Sequence, residues 1–389
     1  MLNSYFLRER LNTMSSYKHL VHELAPTKGN PRNSEGAFLR AKNGDILFAY
    51  SRYNGISDSD NASCDIALIR SSDEGEHWSY DGIIAYAKDF GVSNVMSVSS
   101  LIQNDSSLAF YFMIKENDGR STIGRCISKD GVSFSPENAE RCDFKAKDGY
   151  YVVNNDRISR LSDGRIIFPA AYYPSIECDC AGKGTLLVSR DDGKTIEDGG
   201  FYLESEYGVN KRCGLQEPGA VEIDDGIYMW FRTMYGCQYE AKCEGLDFST
   251  FSAPLPSMFT SPRSPMQIKR IDGVYYAIYN PIPNYNGRVY YPGTAGRSPI
   301  VIRKSLDGVN YGPLNIIEGT ETMRGSDGQS TFFLDVVEDK LSSRGYCYPA
   351  IFKTNDNCLL IAYCRGDEFI DGDILDNTGI IKFKLESLR

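Results

Sequence analysis

The chain has 389 residues, of which 41% are hydrophobic and 12% aromatic, and its formal net charge is −10 with a pI near 5.0. A surface of this charge repels nucleic acid and anionic membranes, so neither is an expected partner, and no stretch of about 18 apolar residues predicts a transmembrane helix. No linker or low-complexity segment interrupts residues 1–389, so one domain is predicted although the length is enough for two or three.

The N-terminal region does not have the pattern of a signal peptide. Its first residues include Arg and Glu where a signal needs an unbroken apolar core, so a cytoplasmic location is expected, although a signal already removed would leave the same sequence. Residues 1–13 are expected to be an extension, because Met14 closely precedes a strand-like stretch at residues 17–24.

A hairpin pattern follows, in which a β-type run, a polar turn and a second β-type run recur along the chain. Its six copies are Phe38 to Arg52, Ser99 to Met113, Arg157 to Tyr173, Gly219 to Thr233, Met266 to Pro281 and Tyr348 to Gly366. The runs are too short and too rich in β-branched and aromatic residues for a helical solenoid.

A turn signature, Ser-x-Asp-x-Gly followed by an aromatic or aliphatic residue, repeats in step with these hairpins. Its serines are Ser71, Ser128, Ser189 and Ser305, separated by 57, 61 and 116 residues, and 116 is twice 58. A worn fifth copy, residues 244–251, lies in the long interval. In each turn we expect the Asp to bond the backbone, the Gly to take a positive φ, and the last side chain to pack on its sheet.

Six inner hairpins, most of them followed by an outer hairpin bearing this turn, give six four-stranded sheets. The sequence therefore predicts an all-β fold, a six-bladed β-propeller with Asp-box turns.

Histidine and cysteine offer little for catalysis or metal binding. His19, His22 and His77 lie outside any predicted site loop, so a Ser-His-Asp or Cys-His mechanism has little support. The eleven cysteines show no C-x-x-C pair, which argues against zinc and favours a reducing compartment, and Cys178 and Cys180 are more readily explained as reduced thiols than as metal ligands. No cofactor is predicted, whereas a calcium ion at an acidic turn such as Asp58 and Asp60 is left open.

The Ser/Asp turns resemble the Asp boxes of the sialidase (neuraminidase) superfamily, and the six hairpins cover nearly the whole chain as that family's propeller would. The resemblance implies an acid/base Asp on a loop shortly before the first Asp box. That position is Asp60, in the loop that precedes the strand leading to Ser71. The chemistry favours a carboxyl in a partly closed pocket, where a raised pKa lets it protonate a leaving oxygen. The alternative is a solvated turn rich in Asp and Ser.

The family also has a Glu that opens one strand and an Arg that closes the next, fifteen residues later. These positions are Glu217 and Arg232 here. A short hairpin brings its two outer ends together, so both side chains are expected at the opening of the same pocket. There the resemblance implies that Glu217 acts as base toward a tyrosine and that Arg232 binds a substrate carboxylate. A structural ion pair across the hairpin is the alternative.

The family's nucleophile is a tyrosine near the start of the last hairpin. Tyr348 matches best, with Tyr346 as the second choice, and a buried core tyrosine is the alternative at either position. A neutral nucleophile suits an anomeric carbon that bears a carboxylate, because it avoids charge repulsion. The matching arginine of the fifth blade is Arg297.

One arm of the family's three-arginine carboxylate clamp is missing. Where the family has Arg-Ile-Pro, this chain has Glu35-Gly36-Ala37, and the buttressing Glu falls near Tyr363 or Cys364. Arg32 or Arg40 are candidates to compensate, although Arg40 lies well past the opening end of its strand. Glu35 repels an anion and suits a hydroxyl or an amine. Further polar candidates for the pocket rim are Asn155, Asp156 and Arg157.

Three functions follow as hypotheses. The first is an exo-acting glycoside hydrolase of sialidase type, removing a terminal sialic acid or related sugar with retention. The second is a glycosidase with the same fold that acts on a different terminal sugar, and the third is a glycan-binding propeller without turnover. In each the partner is the terminal sugar of a glycan or glycoconjugate.

Overall fold

The computed structural model describes residues 17–116, 119–174, 181–205, 214–282, 297–319, 335–337, 340–342, 344–367 and 375–388. Within these ranges the regular structure is β-strand, apart from short 3-10 turns at Ala87–Phe90, Pro136–Asn138 and Leu385–Ser387. No helix in this described part of the chain is long and apolar enough to cross a membrane. Residues 1–13, Cys178 and Cys180 lie outside the described residues.

The strands form mainly antiparallel blades that follow one another in chain order. Blade 1 contains β2 (Asn33–Arg40), β3 (Ile46–Tyr53), β4 (Cys64–Ser71) and β5 (Ser79–Ala85), and blade 2 contains β6 (Asn94–Ile102), β7 (Leu108–Lys115), β8 (Ser121–Ser128) and β9 (Ala139–Arg141). These two are joined by a single parallel bridge between Cys64 and Asn94.

Blade 3 has a broken inner edge. It contains β10 (Asp143–Phe144), β11 (Tyr150–Val152), β12 (Ser159–Arg160), β13 (Ile166–Tyr173), β14 (Lys183–Ser189) and β15 (Thr195–Asp198). Both β11 and β12 pair with β13, so residues 153–158 between them leave the sheet edge.

The last three blades follow the same order. Blade 4 contains β16 (Gln216–Ile223), β17 (Gly226–Arg232), β18 (Cys237–Glu244) and β19 (Leu255–Thr260); blade 5 contains β20 (Gln267–Ile271), β21 (Val274–Tyr279), β22 (Ile300–Ser305) and β23 (Asn315–Glu318). A small hairpin, β24 (Asp335–Val337) with β25 (Lys340–Ser342), precedes blade 6, which contains β26 (Arg344–Lys353), β27 (Cys358–Asp367) and β28 (Asn377–Lys384).

The ring closes through its inner strands and through the N-terminal strand. Along the ring, β2 contacts β6, β13 contacts β16, β16 contacts β20, β20 contacts β26, and β26 contacts β2. Strand β1 (Lys18–Leu24) is the outermost strand of blade 6, where it pairs antiparallel with β28. The all-β propeller predicted from the hairpin repeats is confirmed, with six blades in the described part of the chain.

The Ser/Asp turns have the predicted geometry. In the first copy, Asp73 Oδ1 accepts from Ser71 Oγ at 2.8 Å and from the backbone N–H of His77 at 2.9 Å, while Ser71 Oγ accepts from the N–H of Gly75 at 2.9 Å. The four signature glycines have φ between 75° and 88°. The last side chain of each copy packs into an apolar cluster, as Ile196 does in blade 3.

These glycines also lie where each turn meets the preceding blade. A Cβ at the turn glycine would come within 3 Å of a side chain there: Leu360 for Gly75, Lys42 for Gly131, Tyr111 for Gly193 and Ile223 for Gly308. The signature therefore sets both the hairpin turn and the spacing between neighbouring blades.

We expect Gly193→Ala to destabilise the protein more than Gly164→Ala. Both glycines have positive φ, 80° and 92°, so an alanine costs about 1–2 kcal/mol at either position. At Gly193 the new methyl also lies 1.9 Å from the Tyr111 hydroxyl oxygen, whereas nothing lies within 4 Å at Gly164, so a further loss of about 1–3 kcal/mol is expected there. Denaturant unfolding measures both, and equal losses would contradict the interblade role of Gly193.

Candidate functional site

Bulges in the inner strands carry the side chains of the candidate site. The register of the inner hairpin shifts between Ser34 and Ala37, Met96 and Ser99, Gln216 and Gly219, and Cys347 and Ala350. Each bulge holds one residue other than glycine with positive φ: Glu35 (54°), Ser97 (61°), Glu217 (43°) and Tyr348 (51°). Backbone of this kind is costly and persists only where surrounding contacts over-determine it, which is common at functional sites.

Glu217, Arg232 and Tyr348 form one cluster between blades 4 and 6. The Tyr348 hydroxyl donates to Glu217 Oε1 at 2.8 Å, and an Arg232 guanidinium nitrogen lies 2.5 Å from the same oxygen. Gln216 stands opposite Arg232 in the β16–β17 ladder, so the hairpin ends meet as the sequence predicts. The ion pair weighed as the alternative is part of the same arrangement, since the carboxylate paired with Arg232 also accepts a hydrogen bond from the Tyr348 hydroxyl.

The protonation states of this cluster follow from its surroundings. Burial by itself raises the pKa of Glu217, but the charge of Arg232 and its hydrogen bond, then Arg157 and the Tyr348 hydroxyl, outweigh burial and lower that pKa overall. Burial and the nearby Glu217 charge raise the pKa of Tyr348 well above its usual value. The resting pair is therefore an ionised carboxylate that accepts from a neutral phenol.

Tyr346 has a different environment from Tyr348. It is 1% exposed, belongs to the apolar cluster between blades 5 and 6, and packs edge-on against Tyr363 with ring centroids 5.8 Å apart. Of the two tyrosines weighed from the sequence, Tyr348 is the one that contacts Glu217.

Asp60 and Glu35 form a second cluster, joined by Arg32. The Arg32 guanidinium donates to Asp60 Oδ1 at 2.6 Å and to Glu35 Oε1 at 3.2 Å, and it lies over the Tyr53 ring at 4.5 Å. Glu35 also accepts a short hydrogen bond from the Ser97 hydroxyl. Burial raises the pKa of Glu35, an effect that Arg32 and Ser97 partly oppose.

Asp60 is more exposed than the sequence reasoning assumed. Its side chain is 67% exposed, not enclosed in a partly closed pocket, because the loop between β3 and β4 carries it away from the sheets. Its backbone is held from a neighbouring blade, since the Lys115 ammonium donates to the Asp60 carbonyl oxygen. Asp60 is thus a solvent-accessible carboxyl group whose position is fixed by Arg32.

Of the two arginines weighed as replacements for the missing clamp residue, Arg32 lies at the site. Arg40 instead pairs with Glu74 at 2.8 Å, in the first Asp-box turn at the opposite end of the blade. The position aligned with the family's buttressing Glu is filled by Tyr363 and Cys364, and Cys364 faces Cys347 across the β26–β27 ladder, next to Tyr348.

Arg297 lies beside the Tyr348 cluster. Its guanidinium donates to the Arg263 carbonyl oxygen at 3.0 Å, and its own carbonyl accepts from the Tyr346 N–H at 2.9 Å. The Arg297 charge acts to lower the pKa of Tyr348, against the larger effects of burial and Glu217. Arg263 reaches the same region and donates to the Gln216 side chain at 3.1 Å.

Asp156 and Arg157 are not at the rim where the sequence placed them. Each is 4% exposed, and both lie in residues 153–158, which leave the edge of blade 3 and fill the propeller axis. Arg157 donates to the backbone carbonyls of Glu217 and Pro218, and Asp156 pairs with Lys269 at 2.5 Å. Their partners are backbone and buried side chains because the broken inner strand turns them inward.

Sequence reasoning missed three further residues at the site, Ser97, Lys115 and Arg263. Ser97 occupies the blade 2 bulge that corresponds to Glu35 and Glu217, and comparing the hairpin openings position by position would have found it. Nothing in the local sequence marks Lys115 or Arg263. Among the described residues, no group of three or more His, Cys, Asp or Glu is arranged to hold a metal ion.

We expect the stability difference between the wild type and Glu35→Gln to depend on pH. Because the pKa of Glu35 is raised from its usual 4.5, the folded protein keeps this proton at a pH where the unfolded chain has lost it. The free energy of unfolding of the wild type relative to the variant should therefore fall as the pH rises above about 4.5, by at most about 1.4 kcal/mol per pH unit.

Denaturant unfolding between pH 4 and pH 8 measures this difference. Glu244→Gln, at an exposed position, is the matched control and should run parallel to the wild type. Parallel curves for Glu35→Gln as well would contradict a raised pKa at Glu35.

Known proteins share this fold. Residues 50–361, more than half of the chain, match the family profile of the BNR repeat-like domain. No curated protein matches the sequence. Among solved structures, a Dyadobacter fermentans protein of unknown function superposes with a TM-score of 0.59 at 15% identity, over 94% of this chain and 99% of its own.

Two enzymes superpose similarly. A Hadza microbial sialidase, Hz136, gives a TM-score of 0.65 at 13% identity over 93% of this chain and 67% of its own, and the intramolecular trans-sialidase from Ruminococcus gnavus gives 0.61 at 10% identity over 95% and 97%. At these identities the likeness shows the fold alone. The chain belongs to the family of the BNR repeat-like domain.

Proposed function

We propose that the protein is an exo-acting glycoside hydrolase of sialidase type, which removes a terminal sialic acid or related sugar with retention. The observation that carries the proposal is the hydrogen bond of 2.8 Å from the Tyr348 hydroxyl to Glu217 Oε1, with Arg232 on the same carboxylate. A binding module needs no ionised carboxylate aimed at a buried phenol. The sialidases among the structural neighbours support the same reading.

In the first step, Glu217 takes the proton from Tyr348 as the phenol oxygen attacks the anomeric carbon. The bond from that carbon to the leaving oxygen breaks, and Asp60 donates its proton to the departing oxygen. This forms a covalent bond between Tyr348 and the sugar. Glu217 is suited to the role because its pKa is lowered, so it is ionised and ready to accept the proton.

In the second step, water replaces the tyrosine. Asp60, now ionised, takes a proton from water while the water oxygen attacks the anomeric carbon. The bond to the Tyr348 oxygen breaks, and Glu217 returns its proton to the phenolate. Two successive displacements at the anomeric carbon restore its configuration, so the product has the same anomeric configuration as the substrate. The exposure of Asp60 suits this step, because the residue must reach both the leaving group and solvent water.

Arg232 and Arg297 are the proposed contacts for a substrate carboxylate. Arg232 is 8% exposed and carries its charge beside Tyr348. Burial by itself lowers the pKa of Arg232, but the charge of Glu217 and its hydrogen bond, together with Tyr348, outweigh burial and raise that pKa overall. Arg297 acts on Tyr348 from the other side through its charge. A carboxylate bound between two guanidinium groups would place the adjoining anomeric carbon near the phenol oxygen.

The state of Arg32 favours a second candidate, a glycosidase of this fold that acts on a terminal sugar other than sialic acid. Arg32 is 2% exposed and already contacts two carboxyl groups, Asp60 and Glu35, so little of its charge is left for a substrate anion. The raised pKa of Glu35 favours its neutral carboxyl form, which is the form that can donate a hydrogen bond to a sugar hydroxyl or carbonyl oxygen.

We expect Tyr348→Phe to lower kcat by at least about 10³-fold, because it removes the nucleophile, and Asp60→Asn to lower it by about 10²–10⁴-fold, because it removes the general acid. The loss of kcat in Asp60→Asn should be smaller for aryl glycosides with a good leaving group, because their leaving oxygen needs no protonation. Hydrolysis of aryl α-sialoside, α-fucoside, α-rhamnoside and uronides by purified protein measures these effects.

Tyr80→Phe, at an exposed tyrosine of β5, is the matched control and should retain wild-type turnover. Turnover of sialoside alone supports the first function, and turnover of a neutral sugar alone supports the second. Wild-type protein that binds a glycan but cleaves no substrate would refute both and identify a glycan-binding propeller.

Arg297→Gln should separate the two enzymatic candidates. Loss of one charge-assisted contact costs about 1.5–3 kcal/mol, so the variant should have kcat/KM for a sialoside lowered by about 10–150-fold. Its kcat/KM for a neutral aryl glycoside should change little. Steady-state kinetics on both substrates gives the comparison, and equal losses would rule out a carboxylate clamp at Arg297.

A further inference from the structure

Residues 154–157 occupy the axis of the propeller and bond to every other blade; we name them the axial segment. The N–H of Asp156 donates to Val98 O of blade 2 at 2.9 Å, and its carboxylate accepts from Lys269 of blade 5 and from the Ile351 N–H of blade 6. Asn155 reaches blades 1 and 6, and Arg157 reaches blade 4. The segment thus ties the inner strands together at one point.

Asn155 joins two of the bulges that carry site residues. Its side-chain amide nitrogen donates to Gly36 O at 3.0 Å and to Tyr348 O at 3.3 Å. The first carbonyl belongs to the residue after Glu35 and the second to the candidate nucleophile itself. Asn155 is 1% exposed, so solvent cannot supply these hydrogen bonds in its place.

Arg157 holds the third bulge. One guanidinium nitrogen donates to the carbonyls of Glu217 and Pro218, the latter at 3.0 Å. Its Nε has no hydrogen-bond partner among the described residues, and burial lowers its pKa to about 10, an effect that the Glu217 charge partly opposes. Burying a guanidinium with an unpartnered Nε is energetically unfavourable. The two hydrogen bonds to carbonyls explain why it is there, because they fix the backbone of Glu217.

We infer that Asn155 and Arg157 are positioning residues that set the backbone of Glu35, Glu217 and Tyr348 relative to one another. This rests on the proposed function for its catalytic meaning, although the positioning itself is a property of the fold. The four bonds from these two side chains join carbonyls of blades 1, 4 and 6, which lie far apart in sequence. The segment holds the Tyr348 hydroxyl at hydrogen-bond distance from Glu217.

Arg157 also acts on Glu217 through its charge. The charged and titratable groups that influence Glu217, or are influenced by it, are Arg232 from β17, Arg157 from the axial segment, Tyr348 and Cys347 from β26, Glu35 from β2 and Tyr173 from β13. Removing the Arg157 cation should raise the pH at which Glu217 takes up a proton. Asn155 is neutral and should leave that pH unchanged.

The test compares Asn155→Asp, Arg157→Lys and Arg157→Met, with Asn104→Asp and Arg160→Lys as matched controls at positions away from the site. Asp at 155 keeps the shape, but its ionised side chain cannot donate and adds a negative charge. Lys at 157 keeps the positive charge on a shorter side chain without the planar guanidinium, and Met removes both the charge and the donors. We expect Asn155→Asp and Arg157→Lys to lower kcat by about 10²-fold with KM within about threefold of the wild type.

The pH profile and the variant structures separate positioning from loss of stability. The acidic limb of kcat/KM should move to higher pH in Arg157→Met, which loses a cation beside Glu217, and not in Arg157→Lys, which keeps one. Crystal structures of the variants should show the Tyr348 hydroxyl displaced from the 2.8 Å contact with Glu217. If Arg157→Met fails to fold, the turnover and structures of Arg157→Lys and Asn155→Asp decide whether the axial segment positions Tyr348 and Glu217.

Two outcomes would overturn the inference: variants that keep the contact between Tyr348 and Glu217, or variants that lose melting temperature while the folded protein keeps wild-type kcat and pH profile. If the wild type cleaves no substrate, the proposed function fails, and the distance between Tyr348 and Glu217 in the variants still decides whether the axial segment positions them.

Discussion

The candidate site depends on hydrogen bonds between the axial segment and backbone carbonyls of the inner strands. Those strands come from blades that are adjacent only because the ring closes, and their bulges adopt a left-handed backbone that a strand does not favour. Asn155 and Arg157 bond to carbonyls at or beside three of the bulges. Hydrogen bonds from this one segment thereby offset the unfavourable backbone conformation of the bulges. The relative positions of the site residues therefore depend on correct assembly of the propeller.

Buried arginines determine how the carboxyl groups of the site ionise. Glu217 lies in a region where burial disfavours ionisation, and it remains a carboxylate because Arg232 and Arg157 are beside it. Glu35 has a single close arginine, which it shares with Asp60, and the pKa of Glu35 is raised. The surroundings therefore shift the pKa values of these two carboxyl groups in opposite directions, upward for Glu35 and downward for Glu217.

The fold could be predicted from the sequence because its signals are local and repeated. Ser71, Asp73 and Gly75 specify a turn through bonds within five residues, and three further copies at regular spacing identify a ring of blades. The pairing of Glu217 with Arg232 was predictable for the same reason, since a hairpin brings its own ends together.

The placement of Arg157 and the exposure of Asp60 were not predictable from the sequence. Arg157 opens a stretch that reads as a β-strand, and only the break between β11 and β12 turns it onto the axis. Asp60 lies on a loop whose path is set by Arg32 and Lys115, residues that are distant in sequence. Contacts between blades leave no periodic pattern, so they become visible only in three dimensions.

The pairing of β1 with β28 has a consequence for how the protein is made. Lys18 pairs with Phe383 and Leu24 with Thr378, so the sheet that closes the ring joins strands separated by more than 350 residues. On a ribosome, β1 must remain without its partner strand until β28 has emerged. Contacts of such sequence separation slow folding and prolong the exposure of unpaired strand edges. The propeller is therefore expected to close only once β28 is available, and a chain shortened before β28 would keep blade 6 open.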